Sequence, residues 1–274
     1  MKSYHCGTRQ SNMKKITNYR EKMIKLIIAS GGELDDSQTF VIKPGCMILN
    51  MTQENAYGID IYKLFNIDVN RPHYEQRAEF KSRITYLSFP DEPVNSSDYN
   101  KKMAQEHQHL SVHSSTQIEF LISGVCIETC LEFVAHSEAK VARLTSSKTK
   151  AMDDTLYRLQ GTDKEKDFQK KLILDFIELK KKYESSYHPR TLSQHGTEFT
   201  NLLNLCSKVN AFTYAMTLKD YHKLFIGRLS EHGNEQEVQE VCRLMCDQLH
   251  EQFPLVIKSR DEYYAMNNGA KYSV

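Results

Sequence analysis

The stretch "TQIEFLISGVCIETCLEFVAHSEAKVARL", residues 116–144, decides the fold. Its first part is rich in β-branched and aromatic residues, which predicts a strand that ends at Gly124. The following residues, 126–144, contain no Gly or Pro and repeat their apolar positions near a 3.6-residue period, which predicts a helix. A strand that leads directly into a helix indicates a fold of mixed secondary structure.

The remainder of the chain extends this mixed pattern. Amphipathic periodicity predicts helices over 18–30, 99–108, 164–187, 197–209, 219–229 and 234–253. Alternating or short apolar runs predict strands over 40–51 (interrupted at Pro44-Gly45), 82–89 and 210–218. The 274 residues suffice for one large domain or two small ones. The element order predicts an α+β or α/β protein, with residues 1–45 as an extension and a loose tail at the C-terminus.

Composition restricts the function classes. The chain has 36 Lys+Arg and 35 Asp+Glu, and so lacks the basic excess of a general nucleic-acid coat. No apolar run is long enough to span a membrane, and the N-terminus lacks the apolar core of a signal peptide, so we expect a cytoplasmic protein without nucleic-acid or membrane partners. Seven cysteines without a CxxC pair predict small buried hydrophobes, among them Cys126/Cys130 and Cys242/Cys246.

A histidine cluster lies in "EHQHLSVHSS", which contains His107, His109 and His113. Three nearby imidazoles could bind a metal ion, but the sequence has no HExxH and no carboxylate at a spacing that completes a known site. A polar loop whose His and Ser side chains reach a bound ligand is favoured. No metal is therefore predicted.

A second cluster combines hydroxyl and basic residues. Thr145, Ser146 and Ser147 are surrounded by Lys140, Arg143 and Lys148. Hydroxyls and backbone N–H groups at a helix end, joined by Arg, can hold a phosphate. The other interpretation is a capped, solvated helix end.

A third cluster follows the predicted strand 210–218. Lys219 and Lys223 are four residues apart and share a helix face. Arg228 stands in the apolar run "LFIGRL", where it either extends to the surface or pairs with a buried anion. The sequence contains no GxSxG, Walker or GxGxxG motif, so classical hydrolase and nucleoside-triphosphate sites are absent from it.

In this order, the segments resemble the flavin-dependent thymidylate synthase family (ThyX). That family has an H-x-[ST] loop, a strand–helix unit, the motif R-H-R-x-x-S-x-N-x-x-S-x-R-Y and a second basic strand–helix unit. Here "HLSVHSSTQIEFLISGV" resembles the loop and strand, "AHSEAKVARLTSSK" stands at the long motif, and residues 210–256 resemble the last unit. The resemblance covers roughly residues 46–257, which it implies are a catalytic domain, with 258–274 as a tail.

Several motif positions are changed. His109, Ser111, His136 and Arg228 match the family pattern, and Thr145 keeps a hydroxyl. The remaining positions differ: Ala135 and Ser137 stand at the two Arg positions, Lys140 at Ser, Ala142 at Asn, Ser147 at Arg, Lys148 at Tyr, and Thr217 and Lys219 at the later Asn and Arg. These changes suggest a divergent member that uses another nucleotide, such as UMP in place of dUMP.

The resemblance implies an α+β fold with a central twisted sheet flanked by helical bundles, assembled as a homotetramer. It also implies reductive C5-methylation of a pyrimidine nucleotide, with methylenetetrahydrofolate as carbon donor, FAD as hydride carrier and NADPH as reductant. The implied catalytic residue is Arg228, and the implied nucleotide site comprises Arg143, Thr145, Ser146, Ser147, Lys148 and Arg228. The implied flavin site comprises His109, Ser111, His136, Lys140, Lys219 and Lys223.

Other functions stay open at this point. The chain could be a nucleotide-binding homologue without catalysis, or a pyrimidine nucleotide hydroxymethylase. It could also be a metal enzyme that uses the histidine cluster, or a helical interaction protein.

Overall fold

The computed structural model describes residues 20–53, 56–85, 87–92, 96–103, 110–135, 140–144, 156–186, 208–229 and 236–269. Their elements form an α+β fold, as the sequence predicted. The helices are α1 (20–29), α2 (Ala56–Leu64), α3 (His73–Ile84), α4 (Ser96–Lys101), α5 (Ile127–Val134), α6 (Asp163–Ser186), α7 (Leu218–Arg228), α8 (Gln236–Gln252) and α9 (Arg260–Gly269). The strands are β1 (Glu33–Leu34), β2 (Phe40–Lys43), β3 (Gly45–Met51), β4 (Gln117–Val125), β5 (Lys140–Leu144), β6 (Tyr157–Arg158) and β7 (Asn210–Thr217).

The strands form two sheets. A three-stranded sheet has the order β1-β2-β6, with β1 antiparallel and β6 parallel to β2. A four-stranded sheet has the order β3-β4-β7-β5, so the strand of the opening stretch lies in its interior. The chain divides into two compact units. Unit 1 comprises residues 1–47, 121–136 and 141–213, and unit 2 comprises 48–120, 137–140 and 214–274. In the part of the chain that the structure describes, no helix combines the length and the apolar character that crossing a membrane requires.

The core of unit 1 joins α1 to the strands. Its buried residues are Met23, Ile27, Val41, Leu156, Val209 and Ala211. The turn between β1 and β2 is closed by Asp35, whose carboxylate accepts hydrogen bonds from the backbone N–H groups of Thr39 and Phe40 at 3.0 Å each. Partial burial raises the pKa of Asp35, but hydrogen bonds from the Phe40 backbone, the Ser37 and Lys170 side chains and the Thr39 backbone together lower it overall.

The core of unit 2 is aromatic. Phe120, Tyr214, Tyr221, Phe225 and Tyr263 are all buried, and Tyr221 stands at their centre. The Tyr221 hydroxyl lies 3.2 Å from the carbonyl oxygen of Ile118 and 3.1 Å from that of Tyr214, so it satisfies carbonyls on β4 and β7. Helix α7 is therefore fixed to both strands.

Most of the predicted elements are confirmed. Pro44 separates β2 from β3, β4 covers the predicted strand, and α6, β7, α7 and α8 lie where the periodicity placed them. Gly124 has φ +77°, a conformation that Gly adopts without strain, where the chain leaves β4 for α5. The cysteines at 126/130 and 242/246 are buried, as predicted.

Three predictions of secondary structure were wrong. Residues 82–84 close helix α3 instead of forming a strand, because Ser82 and Arg83 are held in polar contacts of that helix. The helix predicted over 126–144 ends at Val134, and 140–144 form β5, next to β7 in the sheet. The loose tail contains helix α9, because Tyr263 is fully buried. The helix predicted over 197–209 lies almost wholly outside the described residues, and the domain boundaries stay predictions.

Candidate functional site

The start of helix α7 is joined to the segment that precedes β4. The Leu218 backbone N–H donates to the Thr116 carbonyl at 2.8 Å. Thr217 caps the helix, since its hydroxyl oxygen accepts from the Asp220 backbone N–H at 3.3 Å. The 3-10 turn Leu110–His113 packs on α7 as well as on α3. Unit 2 thus brings the predicted flavin residue Ser111 to the helix that carries Lys219 and Lys223.

The two lysines lie one helical turn apart. Lys223 Nζ is 3.9 Å from Asp220 Oδ1, and the lysine side chain is 55% exposed whereas the carboxylate is 16% exposed. Lys219 is half-buried. Ser111 is exposed, and its carbonyl accepts from the Ser114 backbone N–H and hydroxyl. Two ammonium groups on one face of a helix can bind a phosphorylated ligand by hydrogen bonds and charge.

Arg228 occupies a separate position. It follows Lys219 by nine residues, and at about 100° per residue this places it on roughly the opposite side of α7. Its positive charge acts on Cys242 of α8, the helix that packs on α7. Burial raises the pKa of the Cys242 thiol to about 12, and the positive charge of Arg228 partly opposes that shift. The structure therefore does not gather the three basic residues of α7 into one cluster.

His113 belongs to the interior of unit 2 and not to a surface loop. It is 4% exposed, its ring lies 6.4 Å from that of Tyr74, and burial together with the charge of Lys81 lowers its pKa to about 4. It is therefore neutral near pH 7. Within the described ranges, no group of three or more His, Cys, Asp or Glu could hold a metal ion. His107 and His109 lie outside those ranges.

Most of the second cluster also lies outside the described residues. This applies to Thr145, Ser146, Ser147 and Lys148, and His136 lies outside the described residues too. Lys140 and Arg143 belong to β5, of which the structure describes the course but not the side chains. The phosphate cradle that the sequence predicts here stays a prediction, although its first residues form a strand and not the predicted helix.

Sequence reasoning missed a buried polar ladder on α3. Arg71 pairs with Glu75, and Arg83 Nε donates to Glu79 Oε1 at 2.6 Å. Arg77 Nη1 donates to the Thr116 hydroxyl at 2.9 Å, at the segment that also accepts from Leu218. The sequence contains a signal for these ion pairs, because the charged residues 71, 75, 79 and 83 repeat every four positions in "RPHYEQRAEFKSR". Arg77 thus links α3 to the segment before β4, and α3 packs on the turn Leu110–His113.

Comparisons with known proteins support the fold. No family model matches the sequence, and a sequence search finds no curated protein that is significantly similar. Among solved structures, the chain is similar to thymidylate synthase X (ThyX) from Helicobacter pylori, crystallised with FAD and dUMP. The TM-score is 0.52 at 12% sequence identity, and the match covers 78% of this chain and 96% of the other. The fold of this chain is therefore similar to that of ThyX.

Proposed function

We propose that the chain is a divergent flavin-dependent thymidylate synthase-like enzyme that methylates C5 of a pyrimidine nucleotide, dUMP or UMP. The observation that carries this proposal is the fold likeness to nearly the whole of a ThyX chain that was crystallised with FAD and dUMP. The proposed carbon donor is methylenetetrahydrofolate and the proposed reductant is NADPH. FAD, when bound and reduced, would supply the hydride.

The proposal places the FAD diphosphate against α7. Lys219 and Lys223 supply two cations on one face of that helix, and the turn that carries Ser111 packs on the same helix. We assign these residues, with His109, His136 and Lys140, to FAD. The nucleotide phosphate is assigned to Arg143 and residues 145–148.

Arg228 has the catalytic role in this proposal. A guanidinium beside a pyrimidine carbonyl would stabilise the negative charge that builds up there as C5 attacks the one-carbon donor. No protein nucleophile is required, and the protein acts by positioning and charge. A homotetramer is part of the same proposal.

A direct experiment combines binding and turnover. Purified protein is examined for a flavin absorbance spectrum and for a rise in melting temperature with FAD, and then assayed for tritium release from C5-tritiated dUMP and UMP. A melting-temperature rise with FAD together with tritium release would support the proposal. Absence of both would overturn it.

The altered long motif favours a second candidate, a nucleotide-binding homologue without catalysis. Ala135 and Ser137 stand where the family has Arg, so contacts to the flavin could be lost while the nucleotide site is kept. This candidate predicts a melting-temperature rise with dUMP or UMP but no tritium release in the same assay.

A further inference from the structure

Thr116 joins three elements of unit 2 by hydrogen bonds. Its backbone N–H donates to the His113 carbonyl at 3.2 Å, and its carbonyl accepts from the Leu218 N–H at 2.8 Å. Its hydroxyl accepts from Arg77 Nη1 at 2.9 Å. The turn Leu110–His113, the start of α7 and the middle of α3 are far apart in the sequence, and all three meet at this residue.

Arg77 is the charged residue at this meeting point. It is 7% exposed and Thr116 is 2% exposed, so their hydrogen bond is shielded from water. A guanidinium donates along fixed directions in its plane, and it therefore orients its partner more narrowly than an ammonium does. Tyr74 lies three residues earlier on the same face of α3, with its ring 6.4 Å from that of His113. One face of α3 thus contacts both the end of the turn and the segment before β4.

The other two elements carry residues that the proposed function assigns to FAD. Ser111 lies in the turn, and Lys219 directly follows Leu218, which is fully buried and bonded to Thr116. The position of the Lys219 ammonium depends on where the first turn of α7 lies. A misplacement of about 1 Å is enough to weaken a contact to a bound ligand strongly.

We propose that Arg77 is a positioning residue for FAD binding. Through the Thr116 hydroxyl it fixes the start of α7, and with it Lys219, relative to the turn that carries Ser111. Arg77 acts through Thr116 and not by touching the ligand. This inference rests on the proposed assignment of Lys219 to FAD, whereas the link from Arg77 to α7 stands on the hydrogen bonds of unit 2 alone.

The first test needs no flavin and measures hydrogen exchange of the Leu218 amide in the ligand-free, full-length chain. Thr116→Val removes the hydroxyl at nearly constant volume, and Thr116→Ser keeps it. We expect exchange about tenfold faster in Thr116→Val and in Arg77→Met, the change that the loss of one ordinary hydrogen bond produces, and a rate near wild type in Thr116→Ser.

The matched control for this test is Arg83→Met. Arg83 is also a buried arginine of α3, at 8% exposure, but its Nε donates to Glu79. Its loss should leave the exchange rate of the Leu218 amide near the wild-type value. An equal acceleration in Arg83→Met, or none in Thr116→Val, would overturn the proposal.

The second test measures dissociation constants for FAD by calorimetry. Arg77→Met should raise the constant about tenfold, and Arg83→Met should leave it near the wild-type value. In a Lys219→Ala background, Arg77→Met should add no further loss, because both substitutions then remove the same contact. A general structural effect of Arg77 would instead weaken FAD binding by the same factor in both backgrounds, which would overturn the inference.

The same titration separates this inference from the proposed function. A wild type that binds no FAD would overturn the proposed function, and the positioning role of Arg77 with it. A wild type that binds FAD, together with an unchanged dissociation constant in Arg77→Met, would overturn the positioning role alone.

Discussion

The Nδ1 atom of His222 and the hydroxyl oxygen of Tyr263 lie 2.6 Å apart, and both side chains are buried. This hydrogen bond joins α7, which carries the predicted site residues, to α9. The Tyr263 ring also meets Phe225 edge-on at 5.7 Å between centroids. Helix α9 is therefore held to α7 by both polar and ring contacts of Tyr263.

Tyr263→Phe should remove the polar contact and keep the aromatic one. Because His222 then loses a buried partner, we expect the free energy of unfolding to fall by about 1–3 kcal/mol in urea titrations. The matched control is Tyr264→Phe, whose hydroxyl bonds Arg243 at 2.7 Å in a half-buried setting. Equal losses for the two variants would contradict a special contribution from the His222–Tyr263 pair.

Acid should destabilise the fold through two buried histidines. Burial is the main cause that lowers the pKa of both His113 and His222 to about 4, from an ordinary value of 6.5. Between these values the unfolded chain takes up protons that the folded chain does not. The free energy of unfolding should therefore have its highest value above about pH 6.5 and fall as the pH drops to 4. The total fall is up to about 3 kcal/mol for each histidine, and below pH 4 the contribution of these two groups levels off.

Urea unfolding at several pH values between 7 and 4 measures this dependence. His222→Gln, which cannot take up a proton, should flatten the decline relative to wild type. A decline of unchanged steepness in both His222→Gln and His113→Gln would exclude these two groups as its source.

The backbone at Gly45 in unit 1 lies so close to neighbouring atoms that a side chain there would clash. A Cβ atom there would lie 2.0 Å from Ser30 Oγ, 2.8 Å from Ser123 Oγ and 2.9 Å from the Ile27 carbonyl oxygen. Gly45→Ala should therefore destabilise by about 1–3 kcal/mol. Gly227→Ala is the control, since its Cβ would meet no atom within 4 Å, and in helix α7 it should stabilise by up to about 1 kcal/mol. Thermal unfolding of both variants decides whether the two effects have opposite signs.

The α3 ladder should be sensitive to the loss of one charge. Arg83→Leu leaves Glu79, which is 1% exposed, without its cation, and we expect a loss of about 3–5 kcal/mol in the free energy of unfolding. The control Lys63→Leu breaks the exposed Lys63–Asp60 pair, whose atoms are 4.0 Å apart, and should change the free energy of unfolding by less than about 1 kcal/mol. Similar losses in both variants would show that burial does not distinguish the two pairs.

The separation of Arg228 from the lysines predicts a division of ligands. Under the proposed function, Arg228→Ala should abolish turnover and the stabilisation by nucleotide, while it leaves the stabilisation by FAD near the wild-type value. Lys219→Ala should show the reverse selectivity, with a loss of about 1.5–3 kcal/mol in FAD binding, because it removes a charge-assisted phosphate contact. Melting temperatures measured with each ligand separately would reveal whether one variant affects both.

Sequence patterns located the elements whose burial follows a single period. Strand β7 alternates and α8 repeats every three to four residues, so both were predictable. The end of α5 was not, because "KVARL" has good helix formers and only pairing beside β7 makes it a strand. The α3 ladder was missed because its buried residues are charged, and a search for apolar periodicity does not detect buried charged residues.

The roles of the candidate site residues stay predictions. The spacing of Lys219 and Lys223 gave their shared helix face, whereas the packing of the turn Leu110–His113 on α7 follows from no local pattern. That the charge of Arg228 acts on Cys242 depends on how α8 packs on α7, which no local pattern encodes. The same holds for His113, whose burial comes from α3.

The docking of α9 also affects how the chain can be shortened. A polypeptide cut after residue 257 would lose Tyr263 and leave the His222 imidazole and the Phe225 ring facing water. Such a fragment would expose aromatic surface next to the helix that carries Lys219 and Arg228, and should aggregate on purification. A C-terminal affinity tag is therefore safer when appended beyond residue 269 than when it replaces the last helix.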